Sequence, residues 1–214
     1  MMPGLKLMQS SADKLKIMDK LHIFSEVKGF KIPRRRLLKI FKCFLRDGEI
    51  KIKLKKNFRS KIAVNLVFVE EDAMKKLNEL WKGGRGGTDV LTFNYGEKWE
   101  GINGEIYICV KVAERNVKED LKEKGRVAEE LGSIGKLSFI GKSWVNEKSG
   151  LIDKLGLRKI PKKELDKSLR KGLAEEISKL FVHGLLHLCG WTHETPGKYA
   201  KMMKKTAIIL ERCP

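Results

Sequence analysis

Two periods of hydrophobic spacing run along this chain and separate predicted strands from predicted helices. Apolar residues recur at about every second position in LHIFSEV (21–27) and EIKIKLKK (49–56), and they are more continuous in KIAVNLVFV (61–69). The run TDVLTFNYG (88–96) and the start of GEIYICVKVAERN (104–116) are rich in the β-branched and aromatic residues that strands favour. We therefore predict a strand in each of these segments.

Apolar residues spaced three or four apart predict helices elsewhere. One such stretch follows Pro33 and ends near Gly48, and a second begins with two glutamates and an aspartate, which favour a helix N-terminus. A long stretch ends at Gly190, a residue typical of the position just after a helix. The predicted helices cover 34–47, 70–82, 167–189 and 198–213, with a further helix after the strand at 104. Strands and helices without regular β-α-β alternation indicate an α+β protein.

The organisation is that of one domain with an insertion. Residues 1–20 are polar, carry several lysines and are expected to be partly disordered, while residues 21–214 form the predicted domain. From about 118 to 168 the chain becomes lysine-rich and glycine-punctuated, with only short apolar patches. We interpret 118–168 as an insertion that either binds RNA or a ribosome or is only a divergent loop.

Charge and cysteine usage narrow the class of protein. Lysine and arginine number 46 against 27 acidic residues, a formal charge of +19, which favours a polyanionic partner or else a lysine-rich soluble surface. No apolar run approaches the roughly 20 residues of a membrane span, and the N-terminus lacks the apolar core of a secretory signal. The four cysteines lie far apart without a CxxC pair, which argues against a disulfide framework or a cysteine-based zinc knuckle and fits a reducing cytosol (Cys43, Cys109, Cys189, Cys213).

Three of the four histidines fall within HGLLHLCGWTH (183–193). His183 and His187 are one turn apart on the predicted helix, and a chain reversal after Gly190 would bring His193 back beside them. Three imidazoles can hold one zinc ion and leave a fourth position for water, as in catalytic zinc sites, where the water's pKa falls to roughly 7. The alternative is three helix and turn histidines with unrelated roles; His22, in a predicted strand, is interpreted as an ordinary histidine.

Gly184 bears on the type of reaction. Zinc proteases with an HExxH motif have their general base at that position, and glycine cannot serve as one. Peptide hydrolysis is therefore disfavoured, whereas a phosphodiester can still be cleaved with the help of a metal and cations. Either water or the RNA 2′-hydroxyl could be the nucleophile, and the sequence does not separate the two.

The motif HGLLHLCGWTH resembles the H-G-x-L-H-L-x-G-Y-D-H motif of the YbeY family of zinc-dependent endoribonucleases, implicated in ribosomal RNA maturation. LNELWKGGRGGTDVLTF (77–93) is similar to the family's L-N-x-x-Y-R-x-x-D-x-P-T-D-V-L-S-F, and GEIYICVKVAERN to its G-D-I-x-I-x segment. The resemblance implies a central mixed sheet of about four strands, with the zinc helix beside it. It also implies an RNA cleft between the metal and residues 88–93, and one Zn²⁺ per chain bound by His183, His187 and His193.

The chain departs from the family where a phosphate would be neutralised. The family's tyrosine-arginine pair is Trp81-Lys82 here, and its aspartate three residues further on is Arg85. A lysine neutralises phosphate as a point charge without the bidentate geometry of arginine. Lys82, together with Arg85 on its glycine-rich loop, is the catalytic candidate; the alternative is that both are solvated loop cations.

Four further residues have two interpretations each. Asp89 could orient a zinc-bound histidine or simply end a turn. Cys109 and Cys189 are interpreted as small buried side chains rather than ligands. Trp191 could stack on a base, although a packed turn aromatic is the preferred interpretation.

These features together predict a cytoplasmic, zinc-dependent endoribonuclease directed at single strands, with ribosomal RNA or the small ribosomal subunit as partner. No membrane association and no DNA specificity are expected, and the sequence does not indicate an oligomeric state. The first alternative is a non-catalytic, zinc-containing RNA-binding factor in ribosome assembly. The second is a zinc hydrolase acting on a peptide or small molecule.

Overall fold

The computed structural model describes residues 20–57, 62–84, 87–95, 102–133 and 162–213. The first half of the chain forms β1 (Lys20–Ser25), α1 (Arg34–Arg46), α2 (Gly48–Asn57), β2 (Ile62–Val69) and α3 (Glu71–Lys82). The second half forms β3 (Val90–Asn94), β4 (Ile102–Cys109), α4 (Val110–Ser133), α5 (Lys162–Leu188) and α6 (Pro196–Glu211). The predicted N-terminal segment, Arg85 and the centre of the predicted insertion lie outside the described residues.

One mixed sheet organises the fold. Its strand order is β1-β2-β4-β3. The strands β1, β2 and β4 are parallel, and β3 runs antiparallel to β4 along one edge. The predicted α+β class and the mixed sheet of about four strands are thereby confirmed.

Both faces of the sheet carry apolar side chains, but only one supports the main core. The even-numbered residues of β2 and β4 are buried in the main core, to which α1, α5 and α6 also contribute apolar side chains. On the opposite face, a smaller cluster joins the sheet to α3 through Val69, Met74, Leu91 and Cys109. The long helix α5 therefore lies against β4 and next to the edge strand β3.

The strand predicted for residues 49–56 is wrong, because this segment belongs to helix α2. The Asp47 carboxylate accepts hydrogen bonds from the backbone N–H groups of Glu49 (3.1 Å) and Ile50 (3.2 Å), as an N-cap residue does. The helix buries Ile50 completely and leaves Ile52 67% exposed, so the alternating sequence does not correspond to alternating faces. The capping aspartate outweighs the period-two pattern.

The expectation of a chain without a disulfide framework did not anticipate one bridge. Cys43 on α1 and Cys213 just after α6 are joined by a disulfide, with their Cα atoms 6.4 Å apart. They are 170 residues apart in sequence, and the packing of α6 against α1 brings them together. The cytoplasmic expectation loses the support that it drew from cysteine spacing, while Cys109 and Cys189 are buried and belong to no disulfide, in line with the prediction of small buried side chains.

The two ends of the predicted insertion are helical. Residues 118–133 continue α4, and residues 162–168 begin α5. The boundaries at about 118 and 168 stay a prediction, because residues 134–161 are not described.

Candidate metal centre

The end of helix α5 places the three histidines. His183 and His187 project from its last two turns, and Gly190 then adopts a left-handed φ of 75°. The Gly190 N–H donates to the His187 carbonyl (2.8 Å) and the Trp191 N–H to the Leu186 carbonyl (3.0 Å), the two bonds of a Schellman motif. This helix end reverses the chain and carries His193 back towards the helix.

The three imidazoles meet at one point, as predicted. Their ring centroids are 4.7 Å apart for His183 and His187, 4.9 Å for His187 and His193, and 5.3 Å for His183 and His193. One nitrogen from each ring lies within 4.8 Å of the others. A tetrahedral zinc with bonds of about 2.0–2.1 Å requires nitrogen separations of about 3.4 Å, and the Nε2 atoms of His183 and His187 are 3.2 Å apart. The cluster therefore fits a metal ion after only a small adjustment of His193.

A backbone carbonyl fixes the tautomer of His187. Its Nδ1 lies 3.0 Å from the Trp191 carbonyl oxygen. Because a carbonyl oxygen only accepts, we assign the proton to Nδ1, which leaves the Nε2 lone pair directed at the cluster. Metal-ligating histidines usually have such a partner on their outer nitrogen, and it orients the ring and raises its basicity.

The electrostatics of the cluster favour neutral imidazoles. Burial, together with the neighbouring His187 and His193, lowers the pKa of His183 to about 4. Burial also lowers the pKa of His187, and the charges of His193 and Lys82 add to this effect, although the bond to Trp191 opposes it. At neutral pH both rings are therefore unprotonated and available as ligands.

Two glycines allow α5 to approach the sheet closely enough to place these rings. A Cβ atom on Gly184 would lie 2.8 Å from Cγ2 of Ile106, and one on Gly104 would overlap the Leu188 side chain. Glycine at 184 is thus required by packing as well as incompatible with a general base. A glutamate there would have to displace the Ile106 side chain of β4.

The positive charge of Lys82 is the smallest of the causes that lower the pKa of His187, after burial and His193. Lys82 is the last residue of α3, where Gly83 turns the chain with a φ of 62°. Lys82 is exposed, and so is its neighbour Trp81, which contacts the Phe93 ring edge-on at a centroid distance of 5.9 Å. Arg85 lies outside the described residues, so its role stays a prediction.

The other sequence candidates take structural positions. The Asp89 carboxylate lies 3.5 Å from the Thr88 hydroxyl and the Asp89 carbonyl accepts from the Cys109 N–H, while His187 uses Trp191 as its acceptor. This favours the turn interpretation of Asp89. Trp191 packs against the core, and His22 is exposed beside Phe24.

Sequence reasoning missed two neighbours of the cluster. The Trp191 carbonyl is one, and backbone acceptors leave no signal in residue types. The other is Tyr199, whose ring meets that of His193 edge-on at 6.2 Å. Tyr199 lies near the start of the helix that follows His193, and this closeness in sequence could have indicated that the two rings are neighbours.

The edge strand β3 lies beside this site. The Asn94 side-chain amide donates to the Leu188 carbonyl at the end of α5 (3.1 Å).

Among the described residues, no helix is long and apolar enough to cross a membrane.

Comparison with known proteins assigns a family. The family model described as endoribonuclease YbeY matches residues 22–134 and 160–214. The curated relative named endoribonuclease YbeY from Thermotoga maritima is 26% identical over 142 residues, which are 66% of this chain and 61% of the relative. Its namesake from Sulfurihydrogenibium is 26% identical over 168 residues, which are 77% of each chain.

The extent of these matches limits what they imply. The chain spans about three fifths of the length of the first Thermotoga relatives (61% and 66%). A solution structure of a Thermotoga maritima protein is 21% identical and covers 90% of this chain and 91% of its own, with a TM-score of 0.44. The fold assignment rests on the strand order rather than on that superposition. With its family model matched over most of its length, the chain belongs to the YbeY family.

Proposed function

We propose that this protein is a zinc-dependent endoribonuclease that cleaves single-stranded regions of ribosomal RNA during ribosome maturation. The observation that carries the proposal is the convergence of three imidazole nitrogens within 4.8 Å. Membership of a family whose relatives are named endoribonucleases supports RNA as the substrate. So does the formal charge of +19.

The chain supplies three imidazole nitrogen ligands, which suits one Zn²⁺ with an open position. Bound there, zinc would polarise a phosphoryl oxygen and make a coordinated water more acidic. His183, His187 and His193 would hold the ion, and the Trp191 carbonyl would keep the His187 ring aligned.

Lys82 is proposed to neutralise charge on the phosphate during cleavage. This role is supported by the sequence match of Lys82 to the family's arginine position and by the small lowering effect of its charge on the pKa of His187. Arg85 is proposed to assist from its loop, supplying the planar guanidinium that Lys82 lacks.

A second function is favoured by one specific observation. Lysine stands where the family pattern has arginine, and loss of bidentate phosphate binding would weaken catalysis more than RNA binding. The second candidate is therefore a non-catalytic RNA-binding assembly factor that retains zinc. A peptidase is disfavoured, because Gly184 cannot act as a base and its close packing against Ile106 disfavours a larger side chain there.

Cleavage of defined single-stranded and duplex RNA by zinc-loaded protein, chelated protein and a His187→Ala variant tests the proposal. We expect cleavage of the single strand by the zinc-loaded wild type alone. Analysis of the product ends separates the nucleophiles, since attack by the 2′-hydroxyl leaves a cyclic phosphate and attack by water does not. RNA binding without cleavage under all conditions would favour the assembly factor.

A further inference from the structure

Helix α6 begins next to the histidine cluster and has an unusual exposed surface. Tyr199 is 51% exposed and Met203 is 38% exposed, although both are large apolar side chains. Lys201 and Lys204 are exposed beside them, and residues 195–210 contain no acidic side chain. Lys205, in contrast, points inward to Asp47 and Glu49.

The helical repeat sorts these exposed residues into two stripes. At about 3.6 residues per turn, Tyr199 and Met203 share one flank of α6, and Lys201 and Lys204 share the other. Ala200 lies between the stripes and is exposed as well. The exposed side of α6 thus presents an apolar stripe and a basic stripe with only a small side chain between them.

Both stripes start at the cluster. Tyr199 contacts the His193 ring at a centroid distance of 6.2 Å. The Lys201 ammonium lies over the Trp191 ring, 5.6 Å from its centroid, and the Trp191 carbonyl bonds to His187. A ligand that lies along α6 would therefore run directly into the candidate metal centre.

We propose that the exposed side of α6 binds the single-stranded RNA on one side of the cleaved phosphate. Tyr199 stacks on an unpaired base next to the cluster, while Lys201 and Lys204 contact the phosphates that follow. Single strands are bound by aromatic side chains that stack on bases and by cations that follow the backbone. The apolar stripe would take the bases and the basic stripe the phosphates of a single strand. In a duplex the bases are paired and stacked, so they could not reach Tyr199. This inference rests on the proposed function and names the surface that selects single strands.

The test measures binding of short single-stranded RNA to metal-loaded wild type, Tyr199→Leu, Tyr199→Phe and the double variant Lys201→Gln/Lys204→Gln. Tyr199→Leu should weaken binding roughly tenfold, and Tyr199→Phe should bind nearly as wild type, because phenylalanine still stacks. The double lysine variant should reduce the slope of log affinity against log salt by about 1.4, since each single-strand phosphate contact contributes about 0.7.

Two controls isolate the surface. The double variant Lys28→Gln/Lys31→Gln removes the same charge from exposed lysines after β1, at the opposite edge of the sheet from β3, and should leave the slope unchanged. In a further control, one nucleotide of the RNA at a time is replaced by an abasic nucleotide. At one position the replacement should weaken binding to wild type, because the base that stacks on Tyr199 is lost. The same replacement should not weaken binding to Tyr199→Leu.

Each result decides one question. If wild type binds no RNA, the proposed function fails. If wild type binds RNA and the α6 variants match the Lys28/Lys31 control, the α6 surface is wrong while the function stands. All proteins are also compared after metal removal, and a Tyr199→Leu effect that vanishes there reports on His193 and overturns the stacking assignment.

Discussion

Helix α6 has a cluster of titratable side chains near each end, and the two differ in how their charges are balanced. Near its start, three imidazoles face one another within 4.8 Å. Towards its end, Lys205 binds the Asp47 carboxylate at 2.7 Å and Glu49 at 2.9 Å, and Arg212 binds Asp47 at 3.1 Å. The second cluster contains both signs of charge, whereas the first contains only bases.

The pKa values express the same difference. Burial opposes ionisation of Asp47, but the hydrogen bond from Lys205, the Ile50 N–H and the charges of Lys205 and Arg212 outweigh it and lower its pKa. Burial likewise opposes ionisation of Lys205, but Asp47 and Glu49 outweigh it and raise its pKa. At His183 burial and its neighbours act together and lower the pKa to about 4. The acidic and basic groups of the second cluster neutralise one another, whereas the neutral imidazoles of His183 and His187 carry nitrogen lone pairs that can coordinate a metal cation.

The largest predicted effect concerns the balanced cluster. Lys205→Met should lower the free energy of unfolding by about 3 kcal/mol, because it leaves Asp47 buried with only the partly exposed Arg212 as a cationic partner. Denaturant unfolding measures this, and Lys204→Met on the exposed side of the same helix is the matched control, expected within about 0.5 kcal/mol of wild type. Equal stabilities for the two variants would show that the ion pairs of Lys205 do not stabilise the fold.

Metal removal should lower the stability of the protein through the histidine cluster rather than through the cluster around Asp47. At free zinc of about 100 times its dissociation constant, zinc should stabilise wild type by about 2.7 kcal/mol, since it binds only the folded cluster. Unfolding curves with zinc and with chelator measure the gain, and the triple variant His183→Ala/His187→Ala/His193→Ala should show none. An equal gain in that variant would place the ion elsewhere.

Lys82→Ala should lower the single-turnover cleavage rate roughly tenfold and weaken RNA binding less, because charge compensation acts mainly in the transition state and Lys82 is exposed. Lys82→Arg keeps a positive charge at this position and should therefore cleave at about the wild-type rate. Combining Lys82→Ala with Arg85→Ala should cost more than the two single effects together if both cations contact one phosphate. Wild-type rates for all of these variants would remove both residues from catalysis.

The smallest predicted effect is a pH dependence. Asp47→Asn keeps a capping side chain but removes the charge, so it should cost about 1–2 kcal/mol at neutral pH. Because the folded pKa of Asp47 is lowered, its contribution is complete above the unfolded pKa of about 3.9 and is lost as the pH falls through the lower folded value. Unfolding measured from neutral to acidic pH should show the two proteins converging, and a constant difference would contradict the assignment.

The sequence predicted the histidine cluster but not the cluster around Asp47, for a physical reason. Helical spacing and a glycine stop are local, so His183, His187 and His193 could be brought together without knowing the rest of the fold. Asp47 and Lys205 are distant in sequence, and their pairing depends on α6 packing against α1. The same dependence explains the unpredicted Cys43–Cys213 disulfide.

The wrong strand at 49–56 has a related cause. The alternation of isoleucine and lysine predicts a strand, but Asp47, which precedes it, caps a helix by accepting from the backbone N–H groups of Glu49 and Ile50. The sheet itself was predictable, since β2 and β4 are buried on at least one face and carry strong apolar patterns. The pattern of apolar residues does not predict helix capping by a polar side chain, and it does not predict which residues distant in sequence pair in the fold.

Elemental analysis of the purified protein tests the central claim most directly, because it asks whether the three imidazoles hold a metal. We predict one zinc per chain in wild type and none in the variant His183→Ala/His187→Ala/His193→Ala, with both proteins folded. Full zinc content in the folded triple variant would contradict the account.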